Sequence, residues 1–193
     1  MLRVHNLFLG LCIMLLGIIT GTYATAATHH PTPMNKRTAQ EVITQLKLIP
    51  NVEGGYYIET FRDTTNVTFT ATSANGTTSG AVTTRSASTE IYYLLEGATG
   101  HSLWHRVDAV EVWHYYAGAP LTLFLARDDG SPVREVTLGP DVFAGQQPQV
   151  AIPTWEWQRA RSLGKWTLVG TTVAPGFDPN GVELADPDWV PDA

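Results

Sequence analysis

At 193 residues, 44% of them hydrophobic, the chain is long enough for one domain with a proper core, and no internal repeat or linker marks a second. Its formal net charge of −6 is concentrated late, at Asp178, Glu183, Asp186, Asp188 and Asp192, and no basic run offsets it. That balance excludes nucleic acid and anionic membrane surfaces as natural partners.

The chain opens with Arg3, an apolar run over 7–19, and Ala24-Thr25-Ala26, a small-x-small cleavage pattern. The run is shorter than the roughly 20 apolar residues that span a bilayer, so 1–26 reads as a signal peptide. The mature protein is then expected to be secreted and extracellular, with no membrane attachment after cleavage. The single cysteine, Cys12, leaves with the signal, which excludes disulfides and thiol catalysis from the mature chain. Residues 27–37 are small, polar and proline-containing, and read as a disordered leader. Thr38-Ala39-Gln40-Glu41 is a capping box, and Val42, Ile43 and Leu46 give one short helix an apolar face before Pro50 ends it.

After Gly54-Gly55 the texture changes to short runs of Tyr, Thr, Val, Ile and Trp separated by Gly, Pro and Asp. Strands are predicted over 56–62, 81–85, 90–95, 102–107, 111–116, 121–127, 133–138, 148–152, 156–161 and 166–173. Many short strands with one helix predict an all-β sandwich or barrel. The domain is placed at 38–180, followed by an acidic tail over 181–193. Between the first two predicted strands lies a Thr/Ser/Gly-rich stretch that reads as an exposed loop. It carries two sequons, at Asn66 and Asn75, which a eukaryotic secretory pathway would glycosylate and a bacterium would not.

The densest chemistry lies between Gly100 and Gly118. Residues two apart share a strand face, so His105 and Val107 point one way. After a tight turn Glu111, Trp113 and Tyr115 share a face of the next strand, and His114 takes the other. An imidazole and a carboxylate on neighbouring strands can serve as an acid/base pair or bind a metal. Tyr57 and Glu59 share a face of the first strand, and Glu59 has Arg62 and Arg85 as candidate ion-pair partners. Of the aromatic residues, Tyr93 and Trp113 are candidates for an apolar pocket wall, while Trp104, Trp155 and Trp157 read as core. Gly54-Gly55 lacks the helix and Lys-Ser/Thr of a phosphate loop.

The spacing of these residues resembles the two cupin motifs. The phrases PNVEGGYYIE (50–59), STEIYYLL (88–95), HRV (105–107), EVWHYYAG (111–118) and APGF (174–177) are similar, in order, to those of the cupin_5 family, DUF985. The resemblance implies a double-stranded β-helix (jelly-roll) cupin barrel with a central pocket and one short N-terminal helix, related in fold to sugar-nucleotide epimerases and often a homodimer. It also implies which positions hold a metal in metal-binding cupins: here they are His105, Val107, Glu111 and Gln158. Valine cannot ligate and an amide oxygen is a weak ligand. Little metal is therefore expected, and a divalent ion, if bound, would use His105, Glu111 and Gln158.

Three functions follow for a small-molecule ligand in such a pocket. The first is an enzyme of non-redox acid/base type (an epimerase or isomerase, cyclase, dehydratase or decarboxylase). His105 and Glu111 would be catalytic, and Tyr57, Glu59, Tyr93, Trp113 and Gln158 would bind substrate. The second is a metal-dependent cupin oxygenase or isomerase. The third is a non-enzymatic sugar- or metabolite-binding or storage protein.

Overall fold

The computed structural model describes residues 32–74 and 78–192. The expected signal peptide, its cleavage site and the sequon at Asn75 lie outside the described residues. The first described turn is a short 3-10 segment, Met34–Lys36, whose Asn35 Oδ1 accepts a hydrogen bond from the Gly118 amide at 2.9 Å. Helix α1, Ala39–Leu46, begins with the capping box read from the sequence: the Thr38 side chain accepts from the Glu41 amide, and the Glu41 carboxylate accepts from the Thr38 amide.

The strands are, in chain order, β1 (Ile49–Pro50), β2 (Tyr56–Arg62), β3 (Asn66–Thr72), β4 (Thr78–Ser86), β5 (Thr89–Glu96), β6 (His105–Val107) and β7 (Val110–Gly118). They continue with β8 (Leu121–Ala126), β9 (Arg134–Leu138), β10 (Gln149–Ile152), β11 (Trp157–Ser162), β12 (Trp166–Ala174) and β13 (Val182–Leu184). One sheet has the order β1-β2-β5-β12-β7-β10 and a second the order β13-β6-β11-β8-β9, with every named pairing antiparallel.

The two sheets face each other. Tyr93, Leu95, Trp113, Val150, Ile152 and Val169 of the first meet Leu121, Leu123, Leu125, Leu138 and Ala160 of the second in one buried cluster. This is the jelly-roll barrel. Period-2 alternation puts these side chains inside, and other faces are covered separately. Helix α1 lays Ala39, Val42 and Ile43 against Leu94, Ala117, Trp166 and Leu168 of the first sheet. Trp104 and Trp157 of the second sheet's side pack against Trp189 from the chain's last segment, with ring centroids 6.0 and 4.4 Å away. Within the acidic C-terminal stretch, β13 pairs with β6.

One expectation is corrected here. The Thr-rich stretch is not a loop: β3 and β4 form a two-stranded hairpin, paired from Asn66↔Ser86 onward. Val67, Phe69 and Ala71 are half-buried and alternate with exposed Asn66, Thr68, Thr70 and Thr72, a period-2 signal that the Thr-, Ser- and Gly-rich composition of the stretch outweighed. Asn66 sits exposed at its first position.

Candidate functional site

A cavity of about 600 Å³ opens into the barrel, within the range of small-molecule sites. Its polar wall is built by three segments. The first is the turn between β1 and β2, Glu53-Gly54-Gly55. Gly54 and Gly55 have φ of 102° and 69°, and a Cβ on Gly55 would lie 2.5 Å from the Leu94 carbonyl oxygen. Only glycine meets both conditions without strain. The Leu103 amide donates to the Glu53 carbonyl at 2.8 Å, and the Tyr93 hydroxyl donates to the Gly54 carbonyl at 3.0 Å. The turn so held presents the Glu53 side chain to the cavity, where Asn51 Nδ2 donates to its Oε2 at 3.4 Å.

The second segment is β6. His105 is paired across to Gln158 of β11 and to Leu184 of β13, and its side chain is 4% exposed. Its Nδ1 lies 3.2 Å from the Leu103 carbonyl. A carbonyl can only accept, so Nδ1 carries the hydrogen. That leaves Nε2 facing Glu53 Oε2 at 3.6 Å. A ring nitrogen and a carboxylate oxygen this close attract only when a proton sits on one of them.

The third segment is β7 with its neighbours β12 and β11. Glu111 is buried and accepts from Gln158 Nε2 at 2.6 Å, with the Thr171 side chain as a further hydrogen-bond partner. Gln158 Oε1 in turn accepts from Trp113 Nε1 at 3.0 Å. An indole can only donate, so Trp113 fixes which end of the amide faces Glu111. Burial pushes the Glu111 carboxyl above its ordinary value of 4.5; His105 opposes that rise and Glu53 adds to it. Burial also raises the Tyr93 hydroxyl, helped by the charges of Glu53 and Glu111.

Six of the residues singled out from sequence line one cavity: Tyr57, Glu59, Tyr93, His105, Glu111 and Trp113. Tyr93 and Trp113 meet edge to face at 5.8 Å and 87°. Glu59 lies toward solvent and is held by Arg62, whose Nε and Nη2 donate to its two oxygens at 3.0 and 2.6 Å. Gln158, expected to touch ligand, does not line the cavity. It is 1% exposed and lies behind Glu111, with its amide committed at both ends. His114 faces away, with Nε2 3.2 Å from Thr172 Oγ1. Trp104 and Trp157 belong to the separate Trp189 cluster. Sequence reasoning missed Glu53 as a site residue. The available signal was its place in the phrase PNVEGGYYIE, immediately before two glycines.

Residues 40–185 match Cupin_5, described as Cupin superfamily (DUF985). The chain belongs to this family. Among solved structures, this Cupin_5 chain is similar to a hypothetical protein from Leishmania major, with 29% identity and a TM-score of 0.65 over 76% of this chain and 86% of that one. It is similar to a protein from Shewanella oneidensis, with 29% identity and a TM-score of 0.64 over 78% of this chain and 85% of that one. No curated protein matches it in sequence.

The cupin fold raises the question of a metal, and the donor set answers it. Val107 lines the cavity at one ligand position and has no donor atom. At another, Gln158 turns its N–H toward Glu111, because its oxygen is taken by Trp113. An N–H cannot ligate. The remaining pair, His105 and Glu111, falls short of a ligand set, and the described residues contain no group of three His, Cys, Asp or Glu side chains placed to hold an ion. At these four positions the side chains do not make the usual ligand set of a first-row metal.

Proposed function

We propose that this cupin is an enzyme that moves protons on a small molecule held in the barrel, by non-redox acid/base chemistry of the isomerase or lyase kind. The observation that carries the reading is His105: its Nδ1–H is fixed by the Leu103 carbonyl while Nε2 is directed at Glu53 across a cavity wall. An imidazole with one nitrogen fixed and the other free to take or give a proton is the usual agent of such chemistry. Glu53 is the partner that exchanges the proton with His105. Glu111, whose carboxyl burial pushes above its ordinary value, is the second group, positioned by Gln158 and Thr171. The apolar walls, Ile91, Trp113 and Val173 among them, keep water from the reacting atoms.

We place this activity outside the cell, on the signal-like pattern of 1–26, and in a homodimer, because the edges at β1 and β10 and at β13 and β9 favour pairing across a two-fold axis. N-terminal sequencing of exported protein should begin at or near Ala27, and light scattering should give twice the chain mass.

The catalytic test is hydrogen exchange. Small hydroxylated and amino compounds incubated with the protein in D2O should exchange at one carbon, followed by NMR. His105→Ala should slow that exchange by roughly 10²–10⁴-fold, with the folded-state CD spectrum kept. A compound that saturates the pocket yet neither exchanges nor turns over would make this a binding protein instead.

A further inference from the structure

The cavity's hydrogen-bond inventory is lopsided. Most of its donors already have partners within the protein. Arg62 is shared between both Glu59 oxygens and the Phe177 carbonyl, which accepts from Nη1 at 3.2 Å. The Tyr93 hydroxyl goes to Gly54, the Trp113 indole to Gln158, and His105 Nδ1 to Leu103. What the wall keeps available is acceptors. Glu53 and Glu111 are carboxylates with about four lone-pair sites each, more than their protein donors occupy. Tyr57 and Thr89 add hydroxyls that can act either way.

Charge runs in the same direction. Among the described residues the one permanent cation lining the cavity is Arg62, opposed by Glu59, and the His105 imidazole faces Glu53. An anion entering here would meet no unpaired positive charge and two carboxylates. A neutral polyol would satisfy the carboxylates but bring acceptors of its own, for which few donors remain. An ammonium group brings donors only.

We propose that the pocket takes a small organic ammonium compound, its cationic head between Glu53 and Glu111 and its apolar body along Trp113, Ile91 and Tyr57. The aromatic rings add cation–π attraction. Binding also connects to the chemistry: an ammonium that donates to Glu53 satisfies that carboxylate, and the neutral His105 keeps its Nε2 lone pair free to act as a base. In this respect the inference rests on the acid/base reading of the same site.

Three probes of similar size decide it by calorimetry: 2-phenylethylammonium, 2-phenylethanol and 3-phenylpropanoate. The amine should bind at least about tenfold more tightly than the alcohol, and the carboxylate more weakly still. Glu53→Gln and Glu111→Gln should each lower amine affinity at least about tenfold and leave the alcohol within about threefold. Equal affinity for the alcohol or carboxylate, or no saturable amine binding, would overturn the proposal. Selective amine binding without exchange in D2O upholds the ligand class and sinks the catalytic reading alone. Exchange on anionic compounds, with the amine excluded, sinks the ligand class alone.

Discussion

Strand β8 places Leu121, Leu123 and Leu125 inside the barrel at 0 to 1% exposure, against Leu138, Val150 and Val169. Nearby strands of the same barrel bury His105, Glu111, Gln158 and Thr171 almost as completely. The leucine region is held by non-directional burial, which tolerates reshaping as long as volume is kept. The polar region is held by direction: Trp113 to Gln158 to Glu111, and Leu103 to His105 to Glu53. A buried polar group is costly only when its partner is missing, so each link there depends on the next. One barrel thus keeps its stability and its chemistry in different side chains.

Substitutions can break that division. The largest effect is expected at Leu123→Ala, which opens a cavity among fully buried neighbours and should cost about 2–5 kcal/mol in denaturant melts. Ligand affinity extrapolated to native conditions should hardly change. Next is Trp113→Phe. It keeps most of the volume but strands Gln158 Oε1, at about 1–3 kcal/mol.

A smaller effect depends on pH. Burial holds the proton on Glu111 more tightly in the fold than the ordinary 4.5, with His105 and Glu53 as the charges facing it. Just above that pH the folded state binds more protons than the unfolded one, so this group's contribution falls as pH rises, until the folded carboxyl itself ionises. Glu111→Gln removes the fall. The variant should gain stability relative to wild type as pH rises above the ordinary 4.5, and a constant difference would refute the raised carboxyl. The smallest effect belongs to the Glu59–Arg62 pair at the mouth. Both side chains are about two-fifths exposed, and Glu59→Gln should change stability by no more than about 1 kcal/mol.

The same division explains what the sequence disclosed. The helix and its cap, the strand Tyr56–Arg62 to the residue, and the parity that puts Glu111 and Trp113 inward against His114 outward were all legible. Each rests on local spacing. The β3–β4 hairpin escaped because the Thr-, Ser- and Gly-rich composition around it outweighed the alternation of Val67, Phe69 and Ala71 with Asn and Thr. Glu53 escaped because it sits in a turn, where no periodicity says which way a side chain points. Only the long-range bonds from Leu103 and Tyr93 settle its direction. Gln158 was found, but its role was not, since the orientation of an amide depends on Trp113, 45 positions away.

Strand β13 adds a consequence in time. It lies along β6, with Leu184 opposite His105 and Glu183 opposite Arg106, whose Nη2 reaches the Glu183 carboxylate at 2.7 Å. The other neighbour of β6, β11, is also later in the chain. Residues 105–107 therefore leave the ribosome before either flanking strand exists. β6 gains its second flank only when the stretch through residue 184 has emerged.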